Sequence, residues 1–109
     1  MLKLSEMYPK AAAVYVTPIY RYSEYEGQSV KYEAFDTKNA VGHTLYDYYG
    51  CIKAVAEKTG FPVCDMRTLS GINKSNHTAL LRDGVHPSPL GYKRIAAILY
   101  DFTKKYILK

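Results

Sequence analysis

The sequence has no tryptophan, only two cysteines and only five prolines in 109 residues. Cys51 and Cys64 form no Cys-x-x-Cys pair and match no zinc spacing, which argues against a disulfide framework or a zinc module. Both are expected to be buried small hydrophobes. Long apolar runs are missing too. Ala11 to Val16 and Ile95 to Tyr100 have six residues each, against the roughly 20 that a bilayer-spanning helix needs. The N-terminus reaches Pro9 past Lys3 and Glu6 without an apolar stretch, so no secretory leader is read there and the compartment is left open. There is no repeat and no block of one charge sign. Fifteen Lys and Arg against ten Asp and Glu leave +5, spread along the chain with a local cluster only at Lys104, Lys105 and Lys109. Scattered charge reads as a solvated surface, so no nucleic-acid partner is expected.

What is present is ordinary for a globular chain: 48% apolar and 23% charged residues, which excludes disordered and collagen-like classes. Twelve tyrosines are unusual. They suit stacking on sugars or bases, but several fall at helical core spacing.

Leu2 to Met7 reads as the end of a helix stopped by Pro9. Ala11 to Thr17 is rich in β-formers and bounded by prolines. It reads as a strand buried on both faces, as in a parallel sheet. Tyr20 to His43 is polar with no clean period and reads as a long loop holding at most a short helix. Thr44 to Thr59 is helical by pattern, with Leu45, Tyr48, Tyr49, Ile52, Val55 and Ala56 on one face, Thr44 as N-cap and Gly60 as the stop. Phe61 to Met66 reads as a second short strand. Leu69 to Val85 is a second loop. A final helix begins at Ser88 and Pro89, which suit N-cap and first position. It carries Gly91, Ile95, Ile98, Leu99, Phe102 and Tyr106 on one stripe.

This alternation predicts a parallel α/β protein with crossover helices. Two parallel strands do not make an independent sheet, and a buried strand needs a neighbour on each side. Residues 1–109 are therefore read as a single incomplete domain, the second half of a larger one. Its exposed strand edge is expected to seek the missing half or another copy of the chain.

The sharpest local feature is Asp83-Gly84-Val85-His86-Pro87, just before the last helix. A carboxylate three residues ahead of an imidazole, on a turn eased by Gly84, can take a hydrogen bond from one ring nitrogen. The other nitrogen is then left as a proton acceptor. That is the orienter-and-base part of a nucleophile triad. The spacing also fits a turn aspartate followed by a surface histidine.

The segment Asp83-Gly-Val-His-Pro-Ser-Pro-Leu-Gly-Tyr92, followed by Lys-Arg-Ile-Ala, resembles the C-terminal motif block of the SGNH (GDSL) hydrolases. Tyr8-Pro-Lys-Ala with the strand after it, and Thr17-Pro-Ile-Tyr-Arg21, resemble the family's fourth strand and the loop that leaves it. Thr59-Gly-Phe-Pro-Val-Cys-Asp65 resembles the fifth. The resemblance implies a three-layer α/β/α flavodoxin-like fold and a metal-free, cofactor-free serine esterase or lipase. Its substrates would be esters of lipids, short acids or acetylated carbohydrates. Asp83 would orient His86, the general base and acid. The chain departs from the family in carrying no Gly-Asp-Ser tripeptide, no oxyanion glycine block and no Gly-x-Asn-Asp. Alone it is expected to be inactive.

Arg21 and Tyr22 leave the carboxyl end of a predicted strand, where ligands of parallel α/β proteins sit, and are candidate substrate-binding residues. Tyr25 and Tyr32 share that loop. His43, His77 and His86 show no metal-ligand spacing. His43 reads as a helix-entry residue and His77 as an exposed loop residue. Tyr46, Tyr48 and Tyr49 read as helix packing. The alternative function is a non-catalytic binding module on a hydrolase-derived scaffold, whose tyrosines face a glycan or a protein.

Overall fold

The computed structural model describes residues 6–24, 31–39 and 41–107. Strands β1 (Tyr15–Val16) and β4 (Val63–Cys64) pair in parallel, with Tyr15 opposite Val63 and Val16 opposite Cys64. Between them lie an antiparallel pair, β2 (Tyr22–Glu24) and β3 (Lys31–Glu33), and helix α1 (Leu45–Thr59). Short helices α2 (Met66–Ser70) and α3 (His77–Leu80) follow β4, and α4 (Pro89–Tyr106) closes the chain. The arrangement is α/β, with a small parallel sheet crossed over by a helix.

The helix ends follow their local chemistry. Thr44 and Asp47 form a reciprocal capping box: Asp47 N–H donates to Thr44 Oγ1 at 3.3 Å, and Thr44 N–H to Asp47 Oδ2 at 2.8 Å. Gly60 at φ +75° ends α1 and donates to the Ala56 carbonyl. Ser88 caps α4 through Gly91 N–H at 3.1 Å, with Pro89 at its first position.

Several expectations are corrected. The polar stretch after Tyr20 holds no helix among its described residues but the β2–β3 pair. Its three-residue strands are too short and too polar to show a period of two. The second loop contains α3, and its first residues belong to α2. Met66, expected to end a strand, begins α2 because Asp65 caps it: Thr68 N–H donates to Asp65 Oδ1 at 3.3 Å. The predicted helix end at Leu2 to Met7 lies outside the described residues except for Glu6 and Met7, which are helical. Cys64 is buried as expected, but Cys51 is exposed on the outer side of α1.

The largest correction concerns burial. β1 was expected to be covered on both faces, yet Val16 is 45% exposed. Tyr15 and Thr17 direct their N–H groups to Pro62 and Cys64 of the β4 side, at 3.0 and 3.1 Å. By the alternation of a strand, the Val16 peptide groups face the opposite edge, where no described strand pairs. Of the six apolar positions on the α1 stripe only Ala56 is buried; Tyr48 and Val55 are exposed. Of the α4 stripe only Gly91 is buried, while Leu99 and Tyr106 are exposed.

The structure is a slab of 47 × 32 × 19 Å with a radius of gyration of 15.6 Å. A compact domain of this length has about 13 Å. Its accessible surface is 7600 Å², against roughly 6,100 Å² for a folded monomer of this mass.

Tyr20, Ile72, Leu80 and Leu81 form one buried apolar cluster, with Ile19 and Tyr22 against it. It lies beyond the carboxyl ends of β1 and β4. Thr17 and Asp65 knit those ends together: Thr17 Oγ1 accepts from Arg67 N–H at 3.1 Å and donates to Asp65 Oδ1 at 3.4 Å.

Candidate active site

Asp83, Gly84, Val85 and His86 form a closed turn between α3 and α4. Its base is clamped by the bridge between Leu81 and Pro87 and by Arg82 N–H donating to the His86 carbonyl at 2.7 Å. Gly84 takes φ +85°, which a residue bearing a Cβ adopts only with strain. Tyr22 N–H donates to the Gly84 carbonyl at 2.8 Å, so the start of β2 props the turn from the side.

Ser88 anchors the other flank. Its N–H donates to the Leu80 carbonyl at 2.9 Å and its hydroxyl to the Ala79 carbonyl at 2.7 Å. Gly91 lets α4 approach: a Cβ there would run into the Leu80 carbonyl. The glycine five residues after His86 thus has a packing reason. It sets the distance between α4 and α3, and so the position of the turn joining them.

Within this frame Asp83 Oδ2 lies 2.6 Å from His86 Nδ1. Asp83 Oδ1 accepts from Val85 N–H at 2.9 Å and from His86 N–H at 2.7 Å. The carboxylate is therefore fixed by two backbone donors before it meets the ring. The His86 N–H and ring bonds, then the Val85 N–H, hold its pKa well below the usual carboxylate value. Asp83 stays an acceptor, so Nδ1 of His86 carries the proton and Nε2 is left to receive one. The histidine side chain is 59% exposed and the aspartate 46%. Nε2 has no hydrogen-bond partner among the described residues.

No described serine reaches that nitrogen. Ser88 is spent on its cap, and Ser70 is buried with its hydroxyl donating to the Arg67 carbonyl at 3.4 Å.

Tyr22 and Arg21 diverge. Tyr22, with His77, Leu81, Asp83 and Gly84, lines a cleft of about 310 Å³ beside the turn. Arg21 lines a separate cleft of about 120 Å³ with Asn39, His43 and Tyr48. Tyr25 lies outside the described residues, and for Tyr32 only the backbone is described. His43 enters α1 as expected, its Nδ1 3.6 Å from Asp47. His77, expected in an exposed loop, opens α3 and is half-buried. Its ring centroid lies 4.7 Å from that of Tyr22 and 5.9 Å from that of Tyr20. Tyr46 and Tyr49 pack edge-on to Phe35, yet Tyr46 is exposed, as is Tyr48, whose hydroxyl accepts from Asn39 Nδ2 at 3.3 Å.

A network missed by sequence reasoning surrounds Asp65. Its Oδ2 accepts from Tyr49 Oη at 2.7 Å and lies 3.7 Å from Lys53 Nζ. Partial burial works to raise the Asp65 pKa, but the Tyr49 and Thr68 hydrogen bonds and Lys53 bring it below the usual value. The cap spacing Asp65-x-x-Thr68 was the available signal.

No family model and no curated protein matches the chain. Solved structures do. One crystal structure, 28% identical, superposes with a TM-score of 0.79 over 96% of this chain and 48% of its own. A protein from Lactobacillus plantarum, 20% identical, gives 0.80 over 97% and 50%. A possible lipase from Chitinophaga pinensis, also 20% identical, gives 0.71 over 99% and 58%. The chain has a fold in common with these proteins, and it spans about half their length.

Proposed function

We propose that the chain is the second half of an SGNH-type, three-layer α/β/α ester-hydrolase domain. In this reading Asp83 and His86 complete a triad around a serine carried by the first half. The observation that carries the proposal is the 2.6 Å contact between Asp83 Oδ2 and His86 Nδ1, with the carboxylate already fixed by two backbone N–H groups. This is the arrangement an imidazole needs to act as a base through Nε2.

His86 Nε2 takes the serine proton as Oγ attacks the ester carbonyl. The tetrahedral intermediate collapses with expulsion of the alcohol, to which the imidazolium returns that proton. Water then repeats the sequence on the acyl-serine. Asp83 holds the tautomer and offsets the charge on the ring. Donors for the oxyanion belong to the first half with the serine.

The edge of β1, unpaired among the described residues, the exposed Val16 and the half-covered stripes of α1 and α4 support a missing layer. So does the Tyr15 hydroxyl, buried with no hydrogen-bond partner among the described residues. The surface excess of about 1,500 Å² exceeds the roughly 800 Å² per partner of a standard interface.

The test joins this chain to the segment encoded directly upstream, where that segment carries Gly-Asp-Ser. The joined protein gives burst hydrolysis of p-nitrophenyl acetate, and His86→Ala abolishes it. Serine-dependent bursts from the present chain alone, or joined activity indifferent to His86→Ala, overturn the proposal.

A further inference from the structure

Another cavity, of about 360 Å³, lies at the carboxyl ends of β1 and β4. Two cations, Arg67 and Lys74, and one carboxylate, Asp36, share its wall with Tyr20, Ile72 and Asn73. Arg67 is held through its backbone and by aromatic rings. Its backbone N–H is tied to Thr17. Its guanidinium carbon lies 4.4 Å from the ring centroid of Tyr46, 4.5 Å from that of Phe35 and 5.5 Å from that of Tyr49.

Aromatic rings attract a guanidinium without accepting hydrogen bonds from its N–H donors in the way a carboxylate does. No described residue takes a hydrogen bond or an ion pair from those donors; Asp36 shares the cavity without pairing. A guanidinium whose N–H donors are unused can meet a carboxylate with two parallel hydrogen bonds. One guanidinium and one ammonium against one carboxylate leave a single positive charge, which matches a monoanion better than a phosphate dianion.

One apolar cluster links the cavity to the Asp83–His86 turn. Tyr20 and Ile72 belong to the apolar cluster that contains Leu80 and Leu81, and Leu81 is the residue bridged to Pro87 at the base of the Asp83–His86 turn. We infer that this cavity binds the carboxylate of a monoanionic ester, with Arg67 as the specificity residue and Lys74 as its aid. The word ester rests on the hydrolase reading above; the anion site does not.

Titrating the isotopically labelled chain with monomethyl succinate, followed by NMR at low salt, tests it. The expected result is saturable shifts at the Arg67 side chain and the Asn73 and Lys74 amides. Dimethyl succinate, which has no charge, gives none. Arg67→Gln weakens binding by about tenfold or more, and Arg67→Lys falls between, because an ammonium lacks the planar fork. Lys74→Gln leaves the aromatic box intact and weakens binding severalfold, which guards against a folding artefact in the Arg67 variants.

Equal shifts from both esters overturn the inference, as does binding indifferent to Arg67→Gln and Lys74→Gln or shifts confined to the tail lysines. Anion binding here in a joined protein with no esterase activity would sink only the hydrolase reading. Activity in the joined protein with no preference for monoanionic esters would sink only this one.

Discussion

Asp83 is held by two backbone donors and one ring. Because its folded pKa is depressed, its stabilising contribution is complete above the ordinary value of 3.8 and is lost as pH falls below it. Asp83→Ala is therefore expected to lower the urea midpoint at neutral pH, and the gap from the parent chain should close between pH 4 and strong acid. A gap independent of pH would mean that the variant acts through packing alone. The Asp83–His86 contact was legible in the sequence because its geometry is local. Three residues of separation and one glycine suffice to bring a carboxylate to an imidazole. Arg67 was not legible, because its box draws on Phe35, Tyr46 and Tyr49 from two other segments, and nothing in the spacing announces such a meeting.

Among the elements, the junction of α3 with α4 decides where the turn sits. Gly91→Ala sets a methyl against the Leu80 carbonyl, and overpacking of this kind costs about 1–3 kcal/mol. The thermal midpoint should fall, and the Asp83–His86 contact should loosen. Loss of the downfield signal of the hydrogen-bonded imidazole proton in NMR would report the second effect. An unchanged midpoint would show that α4 slides without cost. The two long helices were readable from periodicity and caps, since Thr44, Gly60, Ser88 and Pro89 act through their own neighbours. The β2–β3 pair, α2 and α3 were not. Each is five residues or shorter, too brief for a period to emerge, and their order comes from long-range partners such as Tyr22 on Gly84.

For the molecule as a whole, the parallel relation of β1 and β4 was readable, but the depth of burial was not. An apolar run such as Ala11 to Val16 says that cover is wanted, not that it is present. With Val16 exposed beside an unpaired edge, the isolated chain is expected to self-associate by edge pairing. Light scattering after size exclusion should show a mass that rises with concentration, and Val16→Lys should shift it toward the monomer. A sharp, concentration-independent monomer would argue that the slab is content as it stands.

Every bond described for the Asp83–His86 turn comes from residues 22 to 91 of this same polypeptide. The ring's aim is thus settled in advance of any encounter. In the proposed reading, a complementing piece would bring a hydroxyl to an acceptor already held in place, and would not have to teach that acceptor where to point.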